Sequence, residues 1–158
     1  MTSLNRIIFH WTASTYTPNE TDKQHYHFII DGNGKVINGK YKPEDNINCK
    51  DGVYARHAGG MNTGSIGIAI SAMYSKDYPI KRIQLEAACK LAAELSVKYG
   101  IRLTSKSILT HAKVGKLLPH SSSNGKIDIN NLPCVAVYGV DNVCIWLLNK
   151  CAWYRSKM

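Results

Sequence analysis

Four residues, divided between the start of the chain and a distant stretch, are of the right types to do chemistry together. His10 ends an apolar run, Ile7-Ile8-Phe9-His10, and His111 ends another, Ile108-Leu109-Thr110-His111. Lys126 and Asp128 follow in Gly125-Lys126-Ile127-Asp128. Two imidazole nitrogens and a carboxylate oxygen are ligands that zinc accepts, and three protein ligands leave one coordination position open for water. A lysine two residues from the carboxylate would set a cation beside it. Together these are the minimal equipment of a metal-dependent hydrolase. Spacing alone leaves a second reading open, in which the histidines are structural residues satisfied by hydrogen bonds at strand ends.

The surrounding elements must bring these residues to one place. Residues 6–11 read as a buried strand, a short apolar run with β-branched and aromatic members. Residues 15–24 are polar and read as a loop or short helical turn, and 26–30 as a second strand. Asp31-Gly32-Asn33-Gly34 is a hairpin signal, since glycine and asparagine tolerate positive φ. Residues 35–38 then return as the partner strand. Residues 41–61 look like a long irregular loop, a feature that is usually functional or mobile.

Residues 65–72 read as a central strand, in which Gly67 suggests close approach of another group. From 81 to 99, Leu85, Ala88, Leu91, Ala92 and Leu95 recur at helical spacing, and Gly100 supplies a stop. Residues 107–110 form a short strand ending at His111, and 112–126 read as a polar loop. Asp141 is the expected cap of a last helix within 138–158, running to about Tyr154. Trp146 and Trp153 on it, with Lys150, Arg155 and Lys157 nearby, suit either a membrane or glycan contact or, more simply, packing of the helix on the sheet. The alternation of strands and helices predicts one α/β domain over 1–158, with a mixed central sheet flanked by helices and the metal site at strand ends.

Composition narrows the class. The 158 residues suffice for one core, with 44% hydrophobic and 20% charged residues. No stretch approaches the roughly 20 apolar residues that span a bilayer. The start, Met-Thr-Ser-Leu-Asn-Arg, lacks the basic-then-apolar layout of a secretory signal, which predicts synthesis in a cytoplasm. The five cysteines form no Cys-x-x-Cys pair and read as small buried hydrophobes. A net charge of +9 suggests a polyanionic partner: nucleic acid, an anionic membrane or bacterial cell wall. No zinc-finger, helix-turn-helix or aromatic RNA-binding motif supports nucleic acid, and the basic residues are spread along the chain.

Taken in order, six segments resemble the type 2 N-acetylmuramoyl-L-alanine amidases, a zinc-dependent family related to the peptidoglycan recognition proteins. They are Phe9-His10-Trp11-Thr12-Ala13-Ser14, Tyr26-His27-Phe28-Ile29-Ile30-Asp31, Arg56-His57-Ala58-Gly59, Asn62-Thr63-Gly64-Ser65-Ile66-Gly67-Ile68, Thr110-His111-Ala112 and Gly125-Lys126-Ile127-Asp128. They cover about 6–130. Each is weak alone, and the ordered set is specific.

The resemblance implies that His10, His111 and Asp128 bind Zn²⁺, which polarises the scissile carbonyl and acidifies a water. It implies that Lys126 donates to the oxyanion, that Tyr26 hydrogen-bonds the water or intermediate, and that His57 contacts substrate. Strand alternation would turn His25 and His27 away from Tyr26, and both, with His120, read as structural or exposed. One departure stands out: some members carry a glutamate as general base where this chain has Ala69. That leaves Tyr26, or no separate base.

The activity implied is hydrolysis of the amide between the lactyl group of N-acetylmuramic acid and L-alanine. A phage or prophage endolysin, made in the cytoplasm and reaching the wall after release, fits the size, charge and start of the chain. Alternatives are a muropeptide-recycling amidase, an effector delivered by a secretion machine, and a non-catalytic peptidoglycan-binding protein. The substrate partner is peptidoglycan or a muropeptide, with transient contact to an anionic membrane or wall, and the protein is expected to be a monomer.

Overall fold

The computed structural model of the chain describes residues 3–74 and 76–158. Met1 and Thr2, part of the start read above for a signal, lie outside the described residues. The elements are β1 (Arg6–Trp11), α1 (Glu20–His25), β2 (Phe28–Ile30), β3 (Val36–Asn38), β4 (Ser65–Ile70), α2 (Arg82–Lys98), β5 (Ile108–Thr110), α3 (His111–Leu117), β6 (Asn131–Leu132), β7 (Val137–Tyr138) and α4 (Val140–Ser156). The main sheet has the order β3-β2-β4-β1-β5. Strands β2, β4, β1 and β5 run parallel, and β3 returns antiparallel to β2. The sheet is therefore mixed, within one α/β domain.

Parallel strands are covered on both faces, which is why β1 and β4 are apolar almost throughout. Alternation along β1 sorts its side chains between two cores. Ile7, Phe9 and Trp11 join the larger one, with Leu85, Ala88 and Ala92 of α2 and Val143, Leu147 and Cys151 of α4. Ile8 packs on the other face with Ala58, Leu109 and Val114. His10, two residues on, shares that second face. Its neighbour in register on β4 is Ala69.

Helix α2 matches the expected face, with Leu85, Ala88, Ala92 and Leu95 buried. Gln84 secures its start: the side-chain carbonyl accepts from the Lys81 N–H at 3.0 Å, and the amide donates to the Ser71 carbonyl at 2.9 Å. Gly100, at φ +66°, ends it. The hairpin turn forms as expected, with Asp31 Oδ1 accepting from Asn33 N and Lys35 N, both at 2.9 Å. The five cysteines are free thiols: Cys89 and Cys151 are buried, Cys134 is exposed, and Cys49 and Cys144 are half-buried.

Three sequence expectations need correction. Tyr26 is not in a strand. Asn19 and Asp22 form a reciprocal capping box at the start of α1, and Tyr26 ends that helix, so β2 begins only at Phe28. The stretch expected as loop from 112 contains α3, capped by Thr110, whose hydroxyl accepts from Lys113 N at 3.2 Å. The cap of α4 is Gly139, at φ +94°, a conformation that costs glycine little. Asp141 sits in the first turn and pairs with Lys113 at 2.9 Å.

The irregular segment 41–64 holds a short 3-10 turn, Pro43–Asn46, and is otherwise ordered by two asparagines. Asn46 is fully buried. Its side-chain oxygen accepts from Ala55 N at 3.0 Å and faces His27 Nε2 at 2.8 Å, while its amide donates to the Ala55 and Asn62 carbonyls. Asn62 Oδ1 accepts from His57 N at 3.0 Å and Ala58 N at 2.9 Å. Replacing Asn46 by alanine leaves several buried groups unpaired, each costing about 1–3 kcal/mol. Asn46→Ala is expected to lose about 2–5 kcal/mol in denaturant unfolding and to speed amide exchange selectively in 47–64.

Candidate metal centre

His10 lies near the carboxyl end of β1, fully buried, and His111 is the first residue of α3, directly after β5. These two strands are adjacent and parallel, so their ends open on the same edge of the sheet. The segment between α3 and β6 folds back over that edge and brings in Asp128. Its backbone carbonyl accepts from Ala112 N, which ties the carboxylate to the start of α3.

The three side chains converge. His10 Nδ1 lies 3.2 Å from His111 Nδ1 and 3.2 Å from Asp128 Oδ2, and His111 Nδ1 lies 3.4 Å from Asp128 Oδ1. Zinc bonds of about 2.0–2.1 Å in a tetrahedron place neighbouring donors about 3.3–3.4 Å apart. The donor set and its spacing therefore suit a small divalent ion. Among the described residues this is the group of three or more His, Cys, Asp or Glu able to hold a metal, and all three members are buried.

Protonation states fit the same use. Burial drives His10 down to about 4, against the opposing pull of Asp128. Burial would raise the Asp128 carboxyl, but hydrogen bonds and charge from His10 and His111 hold it at about 2. At neutral pH the histidine is uncharged and the aspartate ionised, the forms that bind metal.

Around this point lies a cleft of about 630 Å³, lined by His25, Tyr26, Tyr54, Arg56, His111 and Lys126 among others. Lys126 follows Gly125, whose φ of +81° makes the turn, and its charge is near enough to disfavour protonation of His10. The Tyr26 ring stacks obliquely on His10 at 5.1 Å between centroids. Burial, with Asp128 and Asp22, raises the Tyr26 phenol, so it presents an O–H donor. His25 lines the cleft beside Tyr26, because both sit on the end of α1 and strand alternation does not apply.

His57, expected to contact substrate, is buried at 5% exposure with both ring nitrogens engaged. Nδ1 faces His10 Nε2 at 3.0 Å, and Nε2 faces the Ser65 carbonyl at 3.2 Å. Ser123 was not singled out by sequence. It is fully buried, meets His111 Nε2 at 3.1 Å and donates to the Gly59 carbonyl at 2.7 Å. In a Ser-Ser-Ser-Asn run, composition gives no sign that the third hydroxyl differs from the others. His27 is buried too, and its Nδ1 accepts from Gly67 N at 2.9 Å.

Two imidazoles and a carboxylate, buried together at the carboxyl edge of the parallel strands and opening on a polar cleft with a lysine, make this α/β domain a candidate metal-binding one. The family model for N-acetylmuramoyl-L-alanine amidase matches residues 1–128, and the chain belongs to that family. Two solved structures are similar. N-acetylmuramoyl-L-alanine amidase LysC from Clostridium intestinale URNW is 21% identical over 63% of this chain and 66% of its own, with a TM-score of 0.47. AmiD from E. coli, in complex with anhydro-N-acetylmuramic acid-L-Ala-D-gamma-Glu-L-Lys, is 18% identical over 69% of this chain and 48% of its own, with a TM-score of 0.51. The chain thus spans about two thirds of the first and about half of the second. A search of curated proteins finds no match.

The buried histidines give a pH signature to the metal-free fold. Burial lowers His10 and His27 to about 4 from 6.5, and it lowers His57 well below its ordinary value too. Between pH 6.5 and 4 the unfolded chain therefore binds more protons than the folded one. Unfolding free energy is expected to fall with decreasing pH across that window, by up to about 1.4 kcal/mol per pH unit for each such histidine. Urea titrations of chelator-treated protein at pH 7, 6, 5 and 4 measure it. A flat profile would mean these rings are solvated or charged in the native state.

Proposed function

We propose that the protein is a zinc-dependent N-acetylmuramoyl-L-alanine amidase that hydrolyses the amide between the lactyl group of N-acetylmuramic acid and L-alanine in peptidoglycan. The observation that carries the reading is the convergence of His10, His111 and Asp128 beside Lys126 in a chain of this family. Held by His10, His111 and Asp128, zinc would polarise a carbonyl and make water a nucleophile at neutral pH.

The chain's own residues do the rest. His10, neutral and fully buried, and Asp128, ionised, offer lone pairs toward one point. Lys126 sits on the cleft wall with its ammonium free to meet negative charge as it develops on the amide oxygen, where a fixed cation is worth most. Tyr26, kept protonated, donates a hydrogen bond to the attacking water or to the tetrahedral oxygen. Ala69, beside His10 in register and fully buried, carries no carboxylate for the general-base role, so proton transfer falls to the leaving amine and solvent.

The net charge of +9 suits a polyanionic surface such as the wall. We take the protein to act on the intact wall, as an endolysin does once it has left the cytoplasm. Recycling of muropeptides is the competing role, and comparing turnover on sacculi with that on soluble fragments separates the two.

Digestion of purified peptidoglycan followed by mass spectrometry tests the reaction. Free stem peptides with an L-alanine amino terminus are expected, absent with His111→Ala and after chelation, and restored by added zinc. Cuts between sugars or within the peptide would sink the assignment. Lys126 is exposed, so Lys126→Ala is expected to fold normally and lose about 10²–10³-fold in kcat with little change in KM. An unchanged kcat would remove it from the chemistry.

A further inference from the structure

Both histidine ligands present Nδ1 to the metal position and turn Nε2 inward, each onto a buried residue outside the three-donor set. His10 Nε2 meets His57 Nδ1 at 3.0 Å, and His57 Nε2 meets the Ser65 carbonyl at 3.2 Å. His111 Nε2 meets Ser123 Oγ at 3.1 Å, and that hydroxyl meets the Gly59 carbonyl at 2.7 Å. Each chain ends on a backbone carbonyl, which can only accept. Direction then follows link by link. The Ser65 carbonyl requires the His57 proton on Nε2, which leaves His57 Nδ1 as an acceptor. His10 must therefore carry its proton on Nε2. In the same way the Ser123 proton goes to Gly59, and the hydroxyl oxygen accepts from His111 Nε2–H.

We propose that His57 and Ser123 are positioning residues that lock His10 and His111 in the Nε2–H tautomer and so hold both Nδ1 lone pairs toward the metal. The proposal rests on the reading of His10, His111 and Asp128 as ligands. The lock has a competitor to overcome. Asp128 lies 3.2 Å from His10 Nδ1 and 3.4 Å from His111 Nδ1, and its carboxylate would draw an N–H onto either atom. A proton there blocks the metal. A ring whose other nitrogen is already committed as a donor cannot supply it while neutral.

Both relays are built into tight places. A Cβ on Gly67 would come within 2.6–2.9 Å of the His57 ring, so the strand is bare where that ring lies against it. A Cβ on Gly115 would come within 2.2 Å of the Ser123 carbonyl oxygen, so α3 is bare where the serine segment crosses it. Asn62 fixes the His57 backbone from the other side, accepting from its N–H at 3.0 Å. No buried side-chain polar atom among the described residues is left without a partner, so neither relay has a gap.

The test uses the full chain as wild type, His57→Leu, His57→Gln and Ser123→Ala. Zinc affinity is read by competition with a chromophoric chelator, and histidine tautomers of the metal-free proteins by ¹⁵N NMR. The account expects His57→Leu and Ser123→Ala each to weaken zinc by about 10–100-fold. Glutamine offers one acceptor and one donor, so His57→Gln is expected to recover most of the loss. In His57→Leu, His10 should move to the Nδ1–H tautomer while His111 keeps its own, and in Ser123→Ala the reverse. Unchanged tautomers overturn the relay even if affinity falls, since that pattern marks a packing role alone. A wild type that binds no zinc overturns the ligand reading, while its tautomers still decide the relay. If His57→Leu fails to fold, Ser123→Ala carries the same two readouts on the other arm.

Discussion

A buried imidazole at the end of a parallel strand sets the terms for much of this molecule. Strand β1 is covered on both faces, so His10 cannot turn to water. Each of its nitrogens must find a partner inside the protein, since an unpaired buried polar group costs about 1–3 kcal/mol. One nitrogen faces His111 and Asp128, and the other faces His57. The first demand draws α3 and the segment carrying Lys126 across the edge of the sheet. The second draws segment 55–62 over the opposite strand. The walls of the cleft are thus the same pieces of chain that satisfy one histidine.

The strands and α2 were legible because their signals are local: β-branched runs, a turn rich in glycine and asparagine, and a helical repeat of leucine and alanine. Strand β1 has the expected bounds, and β4 lies at the centre of the sheet as its apolar run implied. Helix α3 was hidden by its own packing. Gly115, which argues against a helix by propensity, is there because the Ser123 backbone passes too close for any side chain. The Tyr26 error had a readable remedy, since Asn19 and Asp22 three residues apart are a capping box and mark a helix that must end before β2 can start.

The three residues that converge at the candidate site were legible in the sequence, and the residues that support them were not. Histidines at strand ends, and an aspartate two residues from a lysine, stand out by chemistry. Serine and asparagine in polar loops do not, and what makes Ser123, Asn46 and Asn62 special is burial, a property of the folded chain. His57 shows the same limit from the other side. Its type drew notice, but only the fold shows that both its nitrogens are occupied, by His10 and by a carbonyl of β4. The last helix resolves the tryptophan pair similarly: Trp146 packs on the core, while Trp153 stays exposed with Lys150 and Lys157 over its ring.

The central claim is that two imidazoles and one carboxylate, with none of the five cysteines, hold the ion. X-ray absorption at the zinc edge on the loaded protein tests it most directly. The account predicts a shell of nitrogen and oxygen alone at about 2.0–2.1 Å, with imidazole scattering from two rings. A sulfur neighbour at about 2.3 Å, or a shell without imidazole, would contradict it.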